Sequence, residues 1–314
     1  PTSFNELPQL INGVYEELKA EGKITDIQEP EVPPIPADYA KLLKEGKVRK
    51  PTNFICTISD DRGEEATYCG VPISGVIEKE YSIADVIGLL WFKRKFPEWS
   101  SKFIDMVIKI VADHGPAVSG AHNTKVTARA GKDLMSSIVT GILTIGPRFG
   151  GAIDGAAKYF KMAKEKGMAP DEFVAYMKNV EKIPIPGIGH RIKSTKNPDK
   201  RVELLKDFAK NNFPKTELLD YALEVEKLTT SKKENLILNV DGTIGVLLID
   251  MFKELGYSDK EIDELINAGA FNAFFVLGRT IGFIGHYLDE KRLDMPLYRH
   301  PWDDILYDVN CEIE

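Results

Sequence analysis

Gly187-Ile188-Gly189-His190-Arg191-Ile192-Lys193, running on to Asn197-Pro198-Asp199-Lys200-Arg201, is the stretch on which the reading of this 314-residue chain turns. Two glycines let backbone come close to a ligand. The histidine behind them is the one side chain whose unperturbed pKa lies near physiological pH. Arg191, Lys193, Lys200 and Arg201 crowd the same few residues. Pro184-Ile185-Pro186 in front stiffens the loop, so its side chains are presented in a fixed place. Glycine backbone, a titratable ring and several cations point to an anionic substrate that needs proton transfer. A solvated basic loop is the plainer alternative.

Outward from this loop the chain reads as helix after helix. Apolar spacing predicts helices over 83–94, with Ser82 as N-cap and Asp85 in the first turn, and over 99–112. Further helices are predicted at 132–145, 151–166, 170–179, 198–211, 216–228, 243–255, 259–267 and 270–289. The last is apolar almost all round, which predicts a central, buried position. No βαβ alternation appears, which argues against a Rossmann or TIM architecture. Residues 52–78 differ. The run 54–59 is β-prone, Asp60-Asp61-Arg62-Gly63 is turn chemistry, and 66–70 can return as a second strand. The expected fold class is therefore all-α with a small β-hairpin near the N-terminal end.

Before the hairpin, Leu7, Leu10, Ile11, Val14, Tyr15 and Leu18 give a helical pattern within 1–28, and Pro30, Pro33, Pro34 and Pro36 break it into a stiff linker. Two readings stand for that helix: it docks on another subunit or module, or it is a simple extension. The expected organisation is residues 1–50 as N-terminal helix and linker, and residues 51–314 as the main domain with a smaller subdomain at roughly 170–290. The chain opens on Pro1 without a methionine and reads as an excised fragment.

Hydrophobic residues make up 43% of the chain, enough for a substantial core. The net charge of −7 argues against nucleic acid as the main partner, since phosphate binding needs a basic face. Local basic clusters still suit a nucleotide-sized anion. Cys56, Cys69 and Cys311 have no metal-ligand spacing, and so sparse a set suggests reduced thiols in a cytoplasmic protein. Cys56 and Cys69 could oppose each other across the hairpin. No apolar run approaches the ~18–20 residues that span a bilayer, and no secretory signal opens the chain.

Asp241, between the apolar run Leu236-Ile237-Leu238 and Gly242, has two readings: helix N-cap or proton-transfer group. His114 is either a capping or core histidine or a ligand. Gly146-x-x-x-Gly150-Gly151 lacks the Gly-Lys-Ser/Thr ending of a phosphate loop. Asp303-Asp304 reads as surface or capping acids, and His286 and His300 have no ligand spacing.

Four pieces, taken in order, resemble the citrate synthase superfamily. They are Asp113-His114-Gly115 running to Ser119-Gly120-Ala121-His122, then Gly187-Ile188-Gly189-His190, then Asn239-Val240-Asp241-Gly242, then Gly278-Arg279 with Tyr298-Arg299-His300-Pro301. The likeness covers nearly the whole chain and is closer to members that cleave citryl-CoA. Ala112-Asp113-His114-Gly115-Pro116-Ala117-Val118-Ser119-Gly120, Gly282-Phe283-Ile284-Gly285-His286-Tyr287 and Arg299-His300-Pro301-Trp302-Asp303-Asp304 carry it.

The resemblance implies a citrate synthase-type helical fold and retro-aldol cleavage of citryl-CoA to acetyl-CoA and oxaloacetate. The rivals are a citrate or 2-methylcitrate synthase working toward condensation, and an oligomerisation core for upstream modules. It implies that Asp241 exchanges a proton with the methyl carbon, that His190 serves the hydroxyl end, and that His114 contacts the oxaloacetate portion. Arg201, Arg279 and Arg299 match the family's carboxylate-binding arginines, the third reaching in from a partner subunit, and Arg191 is a further candidate. For coenzyme A, Lys193, Lys232 and Lys233 would meet phosphates, and the backbone of Ile188 and Gly189 the adenine. The family pattern needs no metal here. ATP and Mg would serve an upstream succinyl-CoA synthetase-like module, and a homodimer or homotetramer in the cytoplasm is implied, without nucleic acid or membrane.

One departure stands out. Synthases of the family carry a histidine that helps hold the enolate oxygen, and Phe149 occupies the corresponding place. His114, a water or a backbone N–H at Gly150–Gly151 are the alternatives.

Overall fold

Helices carry the chain, most of them where apolar residues recur at helical spacing. The computed structural model describes residues 20–21, 39–47, 55–146 and 149–309. Most of the expected opening helix, the proline linker, Phe54, Pro147, Arg148 and Cys311 lie outside the described residues.

The chain divides into two units, the first comprising residues 1–81 and 89–94. It holds α1 (Tyr39–Lys44), three short antiparallel strands, β1 (Ser59–Asp60), β2 (Thr67–Tyr68) and β3 (Val71–Pro72), and α2 (Ile73–Glu78). The expected two-stranded hairpin is thus a three-stranded sheet. Cys69 and Gly70 both sit at positive φ, the tight turn that returns β2 into β3. Cys56 and Cys69 are free thiols. Ser59 pairs with Tyr68, and the Cys69 thiol donates to Leu89 O at 3.0 Å instead of facing Cys56.

The second unit comprises residues 82–88 and 95–314. Helix α3 (Ile83–Phe92) starts as expected, with the Ser82 hydroxyl accepting from Asp85 N and the Asp85 carboxylate accepting from Ser82 N. Then come α4 (Glu98–Val111), α5 (Ser119–Arg129), α6 (Leu134–Ile142), α7 (Ala152–Glu165) and α8 (Pro170–Tyr176). Helices α9 (Lys200–Asn212), α10 (Glu217–Lys232), α11 (Val240–Glu254), α12 (Asp259–Asn267) and α13 (Ala270–Arg292) complete it. Helix α8 runs on into a π-helical stretch, Met177–Glu181, and stops at left-handed Lys182.

Helix α5 was not predicted. Its buried face is Gly120, Ala121, Thr124 and Ala128, small side chains that give no apolar periodicity. A side chain at Gly120 would meet the ring of Phe283 on α13, so smallness is what allows the two helices to approach.

The helix buried all round is α11, closed in from Gly242 to Phe252 and packed on α7, α9, α10 and α12. Helix α13, predicted to be the buried one, packs on α4, α5, α6, α7 and α12 through Phe271, Phe274, Phe275 and Phe283. It leaves Ile281 and Leu288 exposed along one side. Among the described residues no single helix is long and apolar enough to cross a membrane.

Candidate active site

The loop from 183 to 198 is held against the start of α11 by a ladder of backbone bonds. Gly189 N donates to Ile237 O at 2.7 Å, His190 N to Asn235 O at 3.0 Å, and Asn239 N to Gly187 O at 2.9 Å. Asn239 ties the two together. Its amide oxygen accepts from Gly242 N and so caps α11, while its amide nitrogen donates to Gly189 O at 2.9 Å. Asp241 is therefore not the N-cap. The helix begins at Val240 rather than near 243 because Asn239 starts it, and the Asp241 carboxyl is left free for other work.

Two glycines make this contact possible. Gly187 sits at φ +83°, and a Cβ there would stand 2.5 Å from Gly242 Cα. Gly187→Ala is expected to cost about 1–3 kcal/mol from overpacking and a further ~1–2 kcal/mol from left-handed backbone. A urea denaturation midpoint equal to wild type would show that the contact is soft.

His190 is oriented by its own loop. Its Nδ1 accepts from Ile192 N at 3.0 Å and Lys193 N at 2.8 Å. Two N–H donors on Nδ1 leave the neutral ring with its proton on Nε2, so Nε2–H faces outward as a donor. Burial lowers the His190 pKa, and the charges of Arg201 and Lys193 add to the effect against the opposing pull of Asp199.

Arg201, in the first turn of α9, is gripped by Asp199, the N-cap of that helix. Arg201 Nε reaches Asp199 Oδ1 at 3.0 Å and Nη2 reaches Oδ2 at 2.6 Å. The same guanidinium lies 3.4 Å from His114 Nδ1, which leaves the His114 ring neutral as well, with its proton on Nε2. Burial lowers the His114 pKa first, and the charges of Arg201 and Arg279 push the same way.

Arg279 comes from the middle of α13. It is buried and donates through Nε to Val111 O at 2.8 Å. Its guanidinium lies 4.5 Å from the Phe275 ring centroid and 5.8 Å from that of Phe149. The end of α4 lies close against α13 because Gly278 and Gly282 present no side chains there. On the next turns of α13, His286 Nε2 meets Asp113 Oδ1 at 2.9 Å, and Asp113 Oδ2 accepts from Gly115 N. The turn that carries His114 is thereby braced from both sides.

Asp241 faces Arg201 and Arg279, whose charges stabilise its ionised form. Burial outweighs them and pushes the carboxyl up to about 6. The structure thus gathers His114, His190, Arg201, Asp241, Arg279 and Phe149 at one place. Arg191, next to His190 in sequence, is exposed. Lys193 reaches Asn197 Oδ1 at 3.3 Å. Lys232 and Lys233, exposed at the end of α10, adjoin Glu234, whose carbonyl accepts from Thr195 N, so they share an edge with this loop. The Ile188 and Gly189 N–H groups are both committed within the chain, to Ile185 O and Ile237 O. Gly151 N–H is likewise spent on Gly146 O, which removes it as a holder for an enolate oxygen. Arg299 is exposed and joins none of these groups. Sequence reasoning missed Asn239, Asp199, Asp113 and His286. Asn-x-x-Gly before α11 and Pro-Asp at α9 were readable capping signals, whereas the Asp113–His286 pair had no local signal.

The citrate synthase C-terminal domain family matches residues 92–300. The chain belongs to the citrate synthase family. Within that family, mouse ATP-citrate synthase is 57% identical over 98% of this chain and 28% of its own length. The solved structure of ATP citrate lyase from Methanothrix soehngenii in complex with citrate and coenzyme A is 58% identical. It superposes with a TM-score of 0.82 over 99% of this chain and 51% of that one. Citryl-CoA lyase from Hydrogenobacter thermophilus is 25% identical, with a TM-score of 0.69 over 83% of this chain and 96% of its own. The chain thus spans about half or less of the ATP-citrate synthase and ATP citrate lyase relatives and nearly all of the citryl-CoA lyase.

Proposed function

We propose that this chain cleaves citryl-CoA to acetyl-CoA and oxaloacetate by a retro-aldol reaction. The observation that carries the reading is the Asp241 carboxyl, raised to about 6 at a helix start and facing two arginines. A carboxyl that titrates near neutrality can give a proton to carbon and regain it. The guanidinium groups suit a substrate that brings several carboxylates. The likeness to proteins described as ATP citrate lyase and citryl-CoA lyase supports the same substrate.

Arg201 and Arg279 bind the carboxylates, Arg191 meets the substrate at the rim, and Arg299 is supplied by a second copy. The tertiary hydroxyl loses its proton to solvent and its oxygen becomes the carbonyl of oxaloacetate. The electrons of the breaking C–C bond move onto the thioester, giving an enolate. Asp241 protonates the enolate carbon and is reprotonated from solvent. His190 Nε2–H donates to the hydroxyl oxygen while negative charge is on it. His114 Nε2–H is the donor offered to the thioester oxygen, where Phe149 has no proton to give. Lys193, Lys232 and Lys233 meet the phosphates of coenzyme A. The Ile188 carbonyl, whose neighbouring N–H groups are spent, meets the adenine amino group.

The exposed apolar side chains of Ile281 and Leu288 on α13, of Met135 and Val139 on α6, and of Leu143 just past its end support a homodimer or homotetramer. An upstream ATP-dependent module supplies citryl-CoA, and the free thiols fit a cytoplasmic setting.

The test is direct: the purified chain receives citryl-CoA, and oxaloacetate and acetyl-CoA are measured. We expect turnover at the same rate in excess EDTA, since carboxyl, imidazole and guanidinium groups supply all the proton and charge chemistry. A rate that collapses in EDTA and returns with added metal would overturn the metal-free reading. Absence of any cleavage would overturn the lyase assignment.

A further inference from the structure

Beyond α13 the chain turns at left-handed Asp294 and runs on without helix or strand, largely exposed, through residues 295–301. A strap of this kind has little burial to hold it, yet side-chain contacts tie it down. Arg129, at the end of α5, donates through Nε to Pro296 O at 2.6 Å. The same guanidinium lies 5.3 Å from the centre of the Tyr298 ring. Two turns earlier on the same face of α5, His122 meets that ring edge-on, with centroids 5.4 Å apart. Arg129 is in turn drawn toward Glu290, a buried carboxylate in the last turns of α13 that also pairs with Lys125.

The strap is tied on both sides of Arg299. Tyr298 and His300 meet at 2.9 Å through the tyrosine hydroxyl and Nδ1, and His300 Nε2 reaches Asp304 at 3.1 Å. Tyr298 holds the strap to α5 through His122 and Arg129, and His300 is fastened to Tyr298 on one side and Asp304 on the other. Arg299 is exposed, and among the described residues it makes no hydrogen bond or ion pair.

We propose that Tyr298, seated between His122 and Arg129, is a positioning residue that presents Arg299 to the pocket of a second copy. The inference rests on the reading that Arg299 completes a neighbour's site. A flexible arginine on a loose strap would meet a carboxylate rarely and in many geometries. Clamping the residues on either side leaves only its own side-chain torsions to order on binding. The arginine lent to the neighbouring pocket is thus set by α5 of the chain that lends it.

The prediction can be read in trans. Tyr298→Ala is expected to lower kcat/KM for citryl-CoA roughly 10- to 100-fold, the scale of a misplaced binding group, mainly through KM. Tyr298→Phe, which keeps the ring against Arg129 and His122, recovers most of that loss. The decisive step mixes Tyr298→Ala with Asp241→Asn after dissociation and reassociation, with subunit exchange confirmed by mass. Mixed dimers then hold one pocket with an intact Asp241 and an Arg299 lent by a chain whose Tyr298 is intact. Activity should return in that pocket with near-wild-type KM. The control mixes Arg299→Ala with Asp241→Asn. If the control recovers activity and the Tyr298→Ala mixture keeps its raised KM, the defect is local to its own chain and the positioning role falls. It falls equally if Tyr298→Ala matches wild type. If the control itself stays inactive, the shared pocket fails, and the positioning role with it.

Discussion

Asp241→Asn is expected to slow citryl-CoA cleavage by roughly 10²–10⁴-fold, the range seen when a positioned general acid or base is lost. The substitution keeps size and shape at the second residue of α11. Asn239 supplies the cap, so the helix should remain and the melting temperature should change little. Binding of citrate or coenzyme A should change far less than turnover. The carboxyl also sets a pH dependence. It titrates at about 6 with the pocket empty. Both imidazoles are neutral donors, so the proton lost by the hydroxyl and the proton given by Asp241 cancel. The transition state then has the proton content of neutral substrate plus ionised Asp241. kcat/KM should therefore climb through about pH 6 and level off above it. The overall reaction neither takes up nor releases a proton, so the condensation direction must show the same limb. A histidine acting as the hydroxyl's base would add one proton to the transition state, and kcat/KM would fall above that pH instead. An Asp241→Asn enzyme within a few-fold of wild type, or one that keeps the acid limb, would exclude Asp241 as the proton donor.

The legible part of this chain is the part written in local pattern. Helices such as α4 and α10 declare themselves because large apolar residues recur every three or four positions, with a proline just before each. Helix α5 is silent because it packs through Gly120, Ala121, Thr124 and Ala128, whose smallness has meaning only opposite the Phe283 ring. The burial of α13 was overstated for a related reason. An apolar face on a helix specifies that something covers it, and among the described residues Ile281 and Leu288 stay exposed.

The candidate site divides in the same way. His190, Arg201 and Asp241 stand in short motifs whose chemistry can be read in place. The groups that orient them lie elsewhere. Asp113 and His286 are 173 residues apart in sequence and 2.9 Å apart in space, and no local pattern connects them. The tautomer of His190 was equally hidden. It depends on Ile192 N and Lys193 N pointing back at the ring, a detail of loop curvature rather than of residue type.

That tautomer makes His190 the second position with a large expected effect. With Nδ1 engaged by two backbone N–H groups, the ring can meet a substrate oxygen only as an Nε2–H donor. Protonating Nδ1 would set a third N–H against those two, which agrees with the lowered pKa produced by burial and neighbouring cations. Its contribution is then that of a preorganised donor aimed at an oxygen that gains charge as the C–C bond breaks. Losing such a donor costs roughly 10²–10³-fold in kcat, and His190→Leu should show a loss of that size with KM for citryl-CoA changing much less. The freed Ile192 and Lys193 N–H groups lie near solvent, so water can satisfy them and the fold should hold. His190→Gln offers an amide oxygen to those two N–H groups and an amide N–H to the substrate, so it should recover a clear part of the lost rate. Recovery by glutamine separates donation from base catalysis, because a neutral amide cannot take the hydroxyl proton. If His190→Gln is as slow as His190→Leu while both remain folded, donation alone is insufficient, and the ring must accept a proton during the reaction.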